Sequence, residues 1–130
     1  MGLWVEARRA AGFPVLVAEN AAPAPTTSVA LGYASFGPFR PHAAYARTVE
    51  HSVYVSSSVR RRGVGQALLK ALITRAKAAG AHAMIGGLEA GNIASVALHE
   101  SHGFEEVGRL PEVGRKFDRW LTLVLMQRRL

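Results

Sequence analysis

From Thr48 to Val55 the chain alternates. Val49, His51, Val53 and Val55 take one set of positions, and Glu50, Ser52 and Tyr54 take the other. A period of two predicts a strand with two unlike faces. The period then changes. Val64, Leu68, Leu72 and Ala76 recur four apart with Leu69 and Ile73 beside them, which predicts a helix with one apolar stripe, stopped at Gly80. Before this pair, residues 3–11 read as the end of a helix, stopped by Gly12 and followed by Pro14. Residues 15–19 read as a short strand and 20–28, rich in Pro and Ala, as a hairpin-type loop. Residues 29–36 form the next predicted strand, and 37–46 an irregular loop carrying Pro38, Pro41 and several aromatics. After the helix come a buried strand at 82–88, a short helix at 92–102 ended by Gly103, and strands at 104–110 and 117–127. The predicted order is α-β-β-β-α-β-α-β-β. With no repeat and no linker, this gives one domain over residues 1–130, a mixed sheet with helices on its faces.

Composition narrows the chemistry. A chain of 130 residues, 49% of them apolar, can bury one sizeable core. There is no cysteine, which excludes disulfides and thiolate metal sites and makes a reducing cytoplasm the expected location. No apolar run approaches the ~20 residues of a membrane span. The first residues lack the charged and apolar regions of a secretion signal. No membrane partner is expected. The net charge of +7 favours an anionic ligand. Nucleic acid is discounted, because the helix after residue 63 is mostly Ala and Leu with only Lys70, Arg75 and Lys77. His42, His51, His82, His99 and His102 show no ligand spacing with carboxylates, so no metal is expected.

The chemistry concentrates where the strand runs into the helix, at Arg60-Arg61-Arg62-Gly63-Val64-Gly65. The first N–H groups of a helix lack internal partners, and the dipole adds positive charge there, so the turn reads as an anion hole. A dinucleotide fingerprint fails: position 68 is Leu, and residues 73–88 offer no acid. A P-loop fails because Gln66 follows Gly65. What remains is Arg/Gln-x-x-Gly-x-Gly/Ala, filled by Arg60, Gly63 and Gly65. An ordinary strand-to-helix turn with surface arginines is the alternative.

A second signature, Asn92-x-x-Ser95-x-x-Leu98-His99 followed by Gly103-Phe104, stands at a fitting distance from the turn. Together the two motifs and the element order resemble the GNAT family of N-acetyltransferases. The stretches Thr48-Val49-Glu50-His51-Ser52-Val53-Tyr54-Val55 and Val113-Gly114-Arg115-Lys116-Phe117-Asp118-Arg119-Trp120 resemble its phosphinothricin branch, which includes enzymes acting on methionine sulfoximine and methionine sulfone. The resemblance implies an α/β (α+β) fold, a GNAT-type mixed, mostly antiparallel sheet flanked by helices. The first strand and most of the first helical pair would be missing, and residues 3–11 would match only the tail of the second helix.

The resemblance also implies a division of labour around acetyl-CoA (coenzyme A), the expected co-substrate. Arg60, Arg61, Arg62, Gly63, Val64, Gly65 and Gln66 would hold the pyrophosphate, and Asn92 the pantetheine arm. Val53, Tyr54 and Val55 would pair their main chain with the pantetheine amides, and an N–H near Val53 would face the thioester oxygen. Glu50 is the candidate base, directly or through water; its alternative is a salt bridge with Arg47 or Arg40. The Glu50-His51-Ser52 backbone would lie beside the substrate, with His51 a core or pocket-wall residue. His99 is the candidate acid for the departing thiolate, where many relatives carry tyrosine; its alternative is a helix-surface histidine. Arg40, in Arg40-Pro41-His42, would bind the substrate carboxylate, with Arg47 second. Phe36, Phe39 and Tyr33 would supply walls, and Lys116 and Phe117 would close the pocket from a partner subunit. A homodimer is expected, since a missing first strand leaves a sheet edge to be covered. The expected function is acetyl transfer to the α-amine of a small amino-acid-like substrate. The alternatives are another small amine, a protein N-terminus, or an inactive acetyl-CoA-binding fragment.

Overall fold

Strand pairing decides how the chain begins. The structure, a computed structural model, describes residues 3–10, 13–20, 30–56 and 63–130. Its elements are β1 (Leu3–Ala10), β2 (Phe13–Asn20), β3 (Ala30–Pro38), β4 (Thr48–Val55), α1 (Val64–Ala78), β5 (Ala83–Glu89), α2 (Ile93–Ser101), β6 (Glu105–Lys116) and β7 (Arg119–Arg129). The helix read over residues 3–11 is therefore corrected to a strand. The register with β2 is unbroken and antiparallel, from Leu3 opposite Asn20 to Ala10 opposite Phe13. Two residues separate the strands, the spacing of a tight hairpin. A segment this short is below the ~12–15 residues at which an isolated helix holds, whereas a hairpin gives its backbone partners at once.

The chain divides into two compact units, Met1–Gly37 with His51–Gly80, and Pro38–Glu50 with Ala81–Leu130. In the first unit the strand order is β1-β2-β3-β4. The predicted stripe of α1 is buried in full: Val64, Leu68, Leu69, Leu72, Ile73 and Ala76. Leu16 and Ala18 of β2 and Leu31, Ala34 and Phe36 of β3 complete this core. Gly80, at φ 87°, follows α1 as its stop. Three cross-strand contacts set one antiparallel register between β3 and β4. The Ser56 N–H donates to Leu31 O at 2.8 Å, the Tyr33 and Tyr54 rings stack 5.3 Å apart, and the Ser35 and Ser52 hydroxyls meet at 3.5 Å. Gly32 therefore sits opposite Val55.

In the second unit the order is β4-β5-β7-β6. The N–H groups of His82 and Ala83 both donate to Arg47 O, at 2.7 and 3.2 Å. The starts of β4 and β5 thus lie together, and the two strands run the same way. β7 pairs antiparallel with both β5 and β6. Ala83, Met84, Phe104, Val124 and Met126 form the core here. β6 continues past residue 110, where the sequence reading ended it. Pairing breaks between Leu110 and Gly114, around Pro111, and then resumes to Lys116 opposite Arg119. Proline cannot donate to a ladder, and the irregularity accommodates it.

Candidate active site

In the first unit, Gly63 stands just before α1 at φ 76°, ψ 9°, in the left-handed region. A Cβ there would meet nothing within 4 Å, so the glycine serves the backbone conformation rather than space. Among the described residues no side chain caps this helix start, and its first turn holds no acidic residue. The bond from Ala67 N–H to Gly63 O, 3.0 Å, has the helical spacing of four residues, and the N–H groups of Val64, Gly65 and Gln66 precede it. Such donors at the positive end of a 15-residue helix fit a pyrophosphate. Arg60, Arg61 and Arg62 lie outside the described residues. On β4, His51 is buried at 5% exposure, Val53 and Val55 are half-buried, and Ser52 and Tyr54 are exposed.

In the second unit, the Phe39 N–H donates to Thr48 O at 3.3 Å and folds the loop back onto the start of β4. Arg40 lies over the Phe39 ring, its Cζ 4.4 Å from the centroid, and donates from Nη1 to Phe39 O at 3.3 Å. Tyr45 stands edge-on to Phe39 at 6.0 Å and to His42 at 6.4 Å. Arg40 and His42 thus pack against the Phe39–Tyr45 pair, and Arg40, Pro41 and His42 are all exposed. Glu50 is exposed. Among the described residues the ion pairs are Glu106–Arg109 and Arg115–Asp118. The alternative reading of Glu50, a bridge to Arg40 or Arg47, is therefore not what the structure holds.

Both α2 residues lean on the main chain of Ser95. Asn92 Oδ1 accepts from Ser95 N–H at 3.2 Å as the helix cap, and His99 Nδ1 meets Ser95 O at 2.7 Å. A carbonyl oxygen only accepts, so Nδ1 carries the ring proton and donates. His99 is 1% exposed and edge-on to Phe104 at 5.2 Å. The alternative of a helix-surface histidine is corrected: the ring is buried, with Phe104 packed edge-on against it. Burial pushes its pKa below the ordinary 6.5, and His102 adds to this, while the Ser95 bond works the other way. At neutral pH the ring is uncharged.

The sequence reading missed three features. Arg128 donates from Nη1 to His102 O at 2.7 Å, which satisfies a carbonyl at the end of α2. The main chain of Ser95 joins Asn92 to His99. Gly32, a lone glycine inside a strand pattern, marks a close approach of another chain segment, and that signal was present. Among the described residues no group of three or more His, Asp or Glu could hold a metal ion, and no helix is long and apolar enough to cross a membrane.

Residues 4–104 match the model of the Acetyltransferase (GNAT) family. The chain belongs to this family. Among GNAT proteins it is 50% identical over 124 residues to an L-methionine sulfoximine/L-methionine sulfone acetyltransferase of Pseudomonas paraeruginosa, covering 95% of the chain and 69% of that protein. It matches the crystal structure of a ribosomal-protein-alanine N-acetyltransferase from Brucella melitensis at 50% identity and a TM-score of 0.80, over 92% of this chain and 70% of that one. A GNAT phosphinothricin acetyltransferase from Sinorhizobium meliloti, solved in complex with acetyl-CoA, is 38% identical with a TM-score of 0.82, over 92% of this chain and 62% of that one. The mixed, mostly antiparallel GNAT sheet is thus shared with solved acetyltransferases.

Proposed function

We propose that residues 1–130 act as one GNAT domain that moves an acetyl group from acetyl-CoA to the α-amine of a small amino-acid-like substrate. The substrate would be of the methionine sulfoximine, methionine sulfone or phosphinothricin type. The observation that carries this is the acid-free start of α1 behind left-handed Gly63, in a GNAT chain half identical to a sulfoximine acetyltransferase. Gly63, Val64, Gly65 and Gln66 hold the pyrophosphate, with Arg60, Arg61 and Arg62 adding charge. Val53, Tyr54 and Val55 hold the pantetheine through their main chain, and Asn92 supplies its amide. Glu50 takes the proton from the ammonium, with the Glu50-His51-Ser52 backbone beside the substrate. Arg40 holds the carboxylate, flanked by Pro41 and His42. His99 is assigned the proton for the departing thiolate. The molecule works as a cytoplasmic homodimer in which the partner's Phe117 and the partner's Lys116 close the pocket.

The test is release of free coenzyme A thiol from acetyl-CoA in the presence of each of the three acceptors. Turnover with at least one is expected. Failure with all three, with acetyl-CoA still bound, overturns the substrate assignment. One observation favours a second reading, acetylation of a protein N-terminus: the similarity to a ribosomal-protein-alanine acetyltransferase. A peptide with an N-terminal alanine tests it. Binding without turnover of any acceptor would mark an inactive acetyl-CoA-binding fragment.

A further inference from the structure

Glycine inside a strand loosens it and leaves nothing to pack, unless another segment needs the space. Gly32 lies within β3, buried, with Ala18 of β2 as its register partner on one side and Val55 of β4 opposite on the other. Two residues along, Ala34 is fully buried and accommodates a Cβ, so the crowding at Gly32 is local. A Cβ on Gly32 would collide with the Tyr54 carbonyl oxygen. It would also stand 3.1 Å from Leu68 Cδ1 and 3.2 Å from Val55 Cα. The first of these is a main-chain atom. It cannot swing aside as a side-chain end can; the peptide between Tyr54 and Val55 must move with it. Leu68 lies one turn into α1, itself fully buried, so pressure there falls on the helix start.

Two segments therefore converge on one Cα. They are the end of β4 and the first turns of α1, the two parts of the first unit assigned above to pantetheine and pyrophosphate. We propose that Gly32 is a positioning residue for acetyl-CoA: its missing side chain sets where the Tyr54–Val55 peptide and the start of α1 stand. The inference rests on the acetyl-CoA reading above. It assigns the role to a residue that touches neither cofactor nor substrate. It also separates Gly32 from Gly37 on the same strand, where a Cβ would meet nothing within 4 Å.

The experiment measures acetyl-CoA binding by calorimetry, and KM for acetyl-CoA and for the acceptor, in the wild type, Gly32→Ala and Gly37→Ala. Gly32→Ala is expected to raise KM for acetyl-CoA roughly tenfold, within the loss a displacement of about 1 Å inflicts on a positioned site. Its KM for the acceptor should stay put, and Gly37→Ala should match the wild type. A merely structural glycine would lower the yield of active protein, and hence kcat, with KM for acetyl-CoA unmoved; that result overturns the inference. If the wild type itself fails to bind acetyl-CoA, the functional reading falls and this inference with it. If the wild type binds and Gly32→Ala binds equally well, only the inference falls. Should Gly32→Ala prove too unstable to assay, the same KM measurements are made in sucrose, an osmolyte that favours the folded state. There it should fold and show the same KM split; failure to fold in sucrose as well assigns Gly32 to the fold and overturns the proposal.

Discussion

Glu50 and His99 are unlike in their surroundings, and the difference sets what each can do. Glu50 stands exposed on the face of β4 that also carries Ser52 and Tyr54, and no ion pair among the described residues engages it. A carboxylate so placed is available to take a proton. Glu50→Gln is expected to lower kcat by roughly 10²–10⁴-fold, the usual worth of a general base, with acetyl-CoA binding by calorimetry little changed. An unaltered kcat would remove the role. His99 is buried, neutral and held by Ser95. Its native pKa lies below the ordinary 6.5, chiefly because burial penalises the charged ring. Between those two values the unfolded chain binds more protons than the folded one, so stability rises with pH across that window. The contribution is complete above 6.5 and is lost as pH falls through the lowered value. Thermal melts should therefore drop below pH 6.5 in the wild type, and His99→Gln should flatten that slope while lowering Tm overall. As the acid for the thiolate, His99 needs its charged form, which is scarce at neutral pH. The ratio of wild-type to His99→Ala kcat should accordingly widen as pH falls.

At the scale of elements, α2 shows how one side chain serves two ends. Asn92 caps the helix with Oδ1, while its amide N–H groups are the donors assigned to pantetheine. Asn92→Ala should cost about 1 kcal/mol of stability by denaturant titration. Asn92→Ser keeps a capping oxygen and drops the amide. It should hold stability within about 0.5 kcal/mol and still raise KM for acetyl-CoA. The β6–β7 hairpin carries a strain of its own. Phe117 and Asp118 form its two-residue turn at φ 51° and 57°, and Phe117 is 82% exposed. Such a turn prefers Asn and Gly, and a bulky side chain in the left-handed region is costly. Phe117→Asn should stabilise by roughly 1 kcal/mol in the same titration, and should lower turnover if the aromatic closes a partner's pocket. The charges and proline along outermost β6, Glu105, Glu106, Arg109, Pro111 and Lys116, guard an edge that would otherwise recruit other strands.

For the whole molecule, the +7 charge meets a polyanionic cofactor. Raising ionic strength should weaken acetyl-CoA, read as a rising KM, and leave a zwitterionic acceptor nearly untouched. A salt-independent KM for acetyl-CoA would show that local N–H donors do all the holding. What the sequence determined by itself was local. The alternation of β4 appears over the predicted residues, and the α1 stripe is buried residue for residue. Periodicity acts within a turn or two of chain, so it is legible there. Tertiary structure decided the rest. Residues 3–10 are a strand because β2 is there to pair with them. His99 is neutral because the fold removes its water. Gly32 must be glycine because the Tyr54 carbonyl and Leu68, 22 and 36 positions further along the chain, arrive at the same Cα. Pairing, desolvation and close approach are all set by neighbours in space, which a one-dimensional pattern does not name.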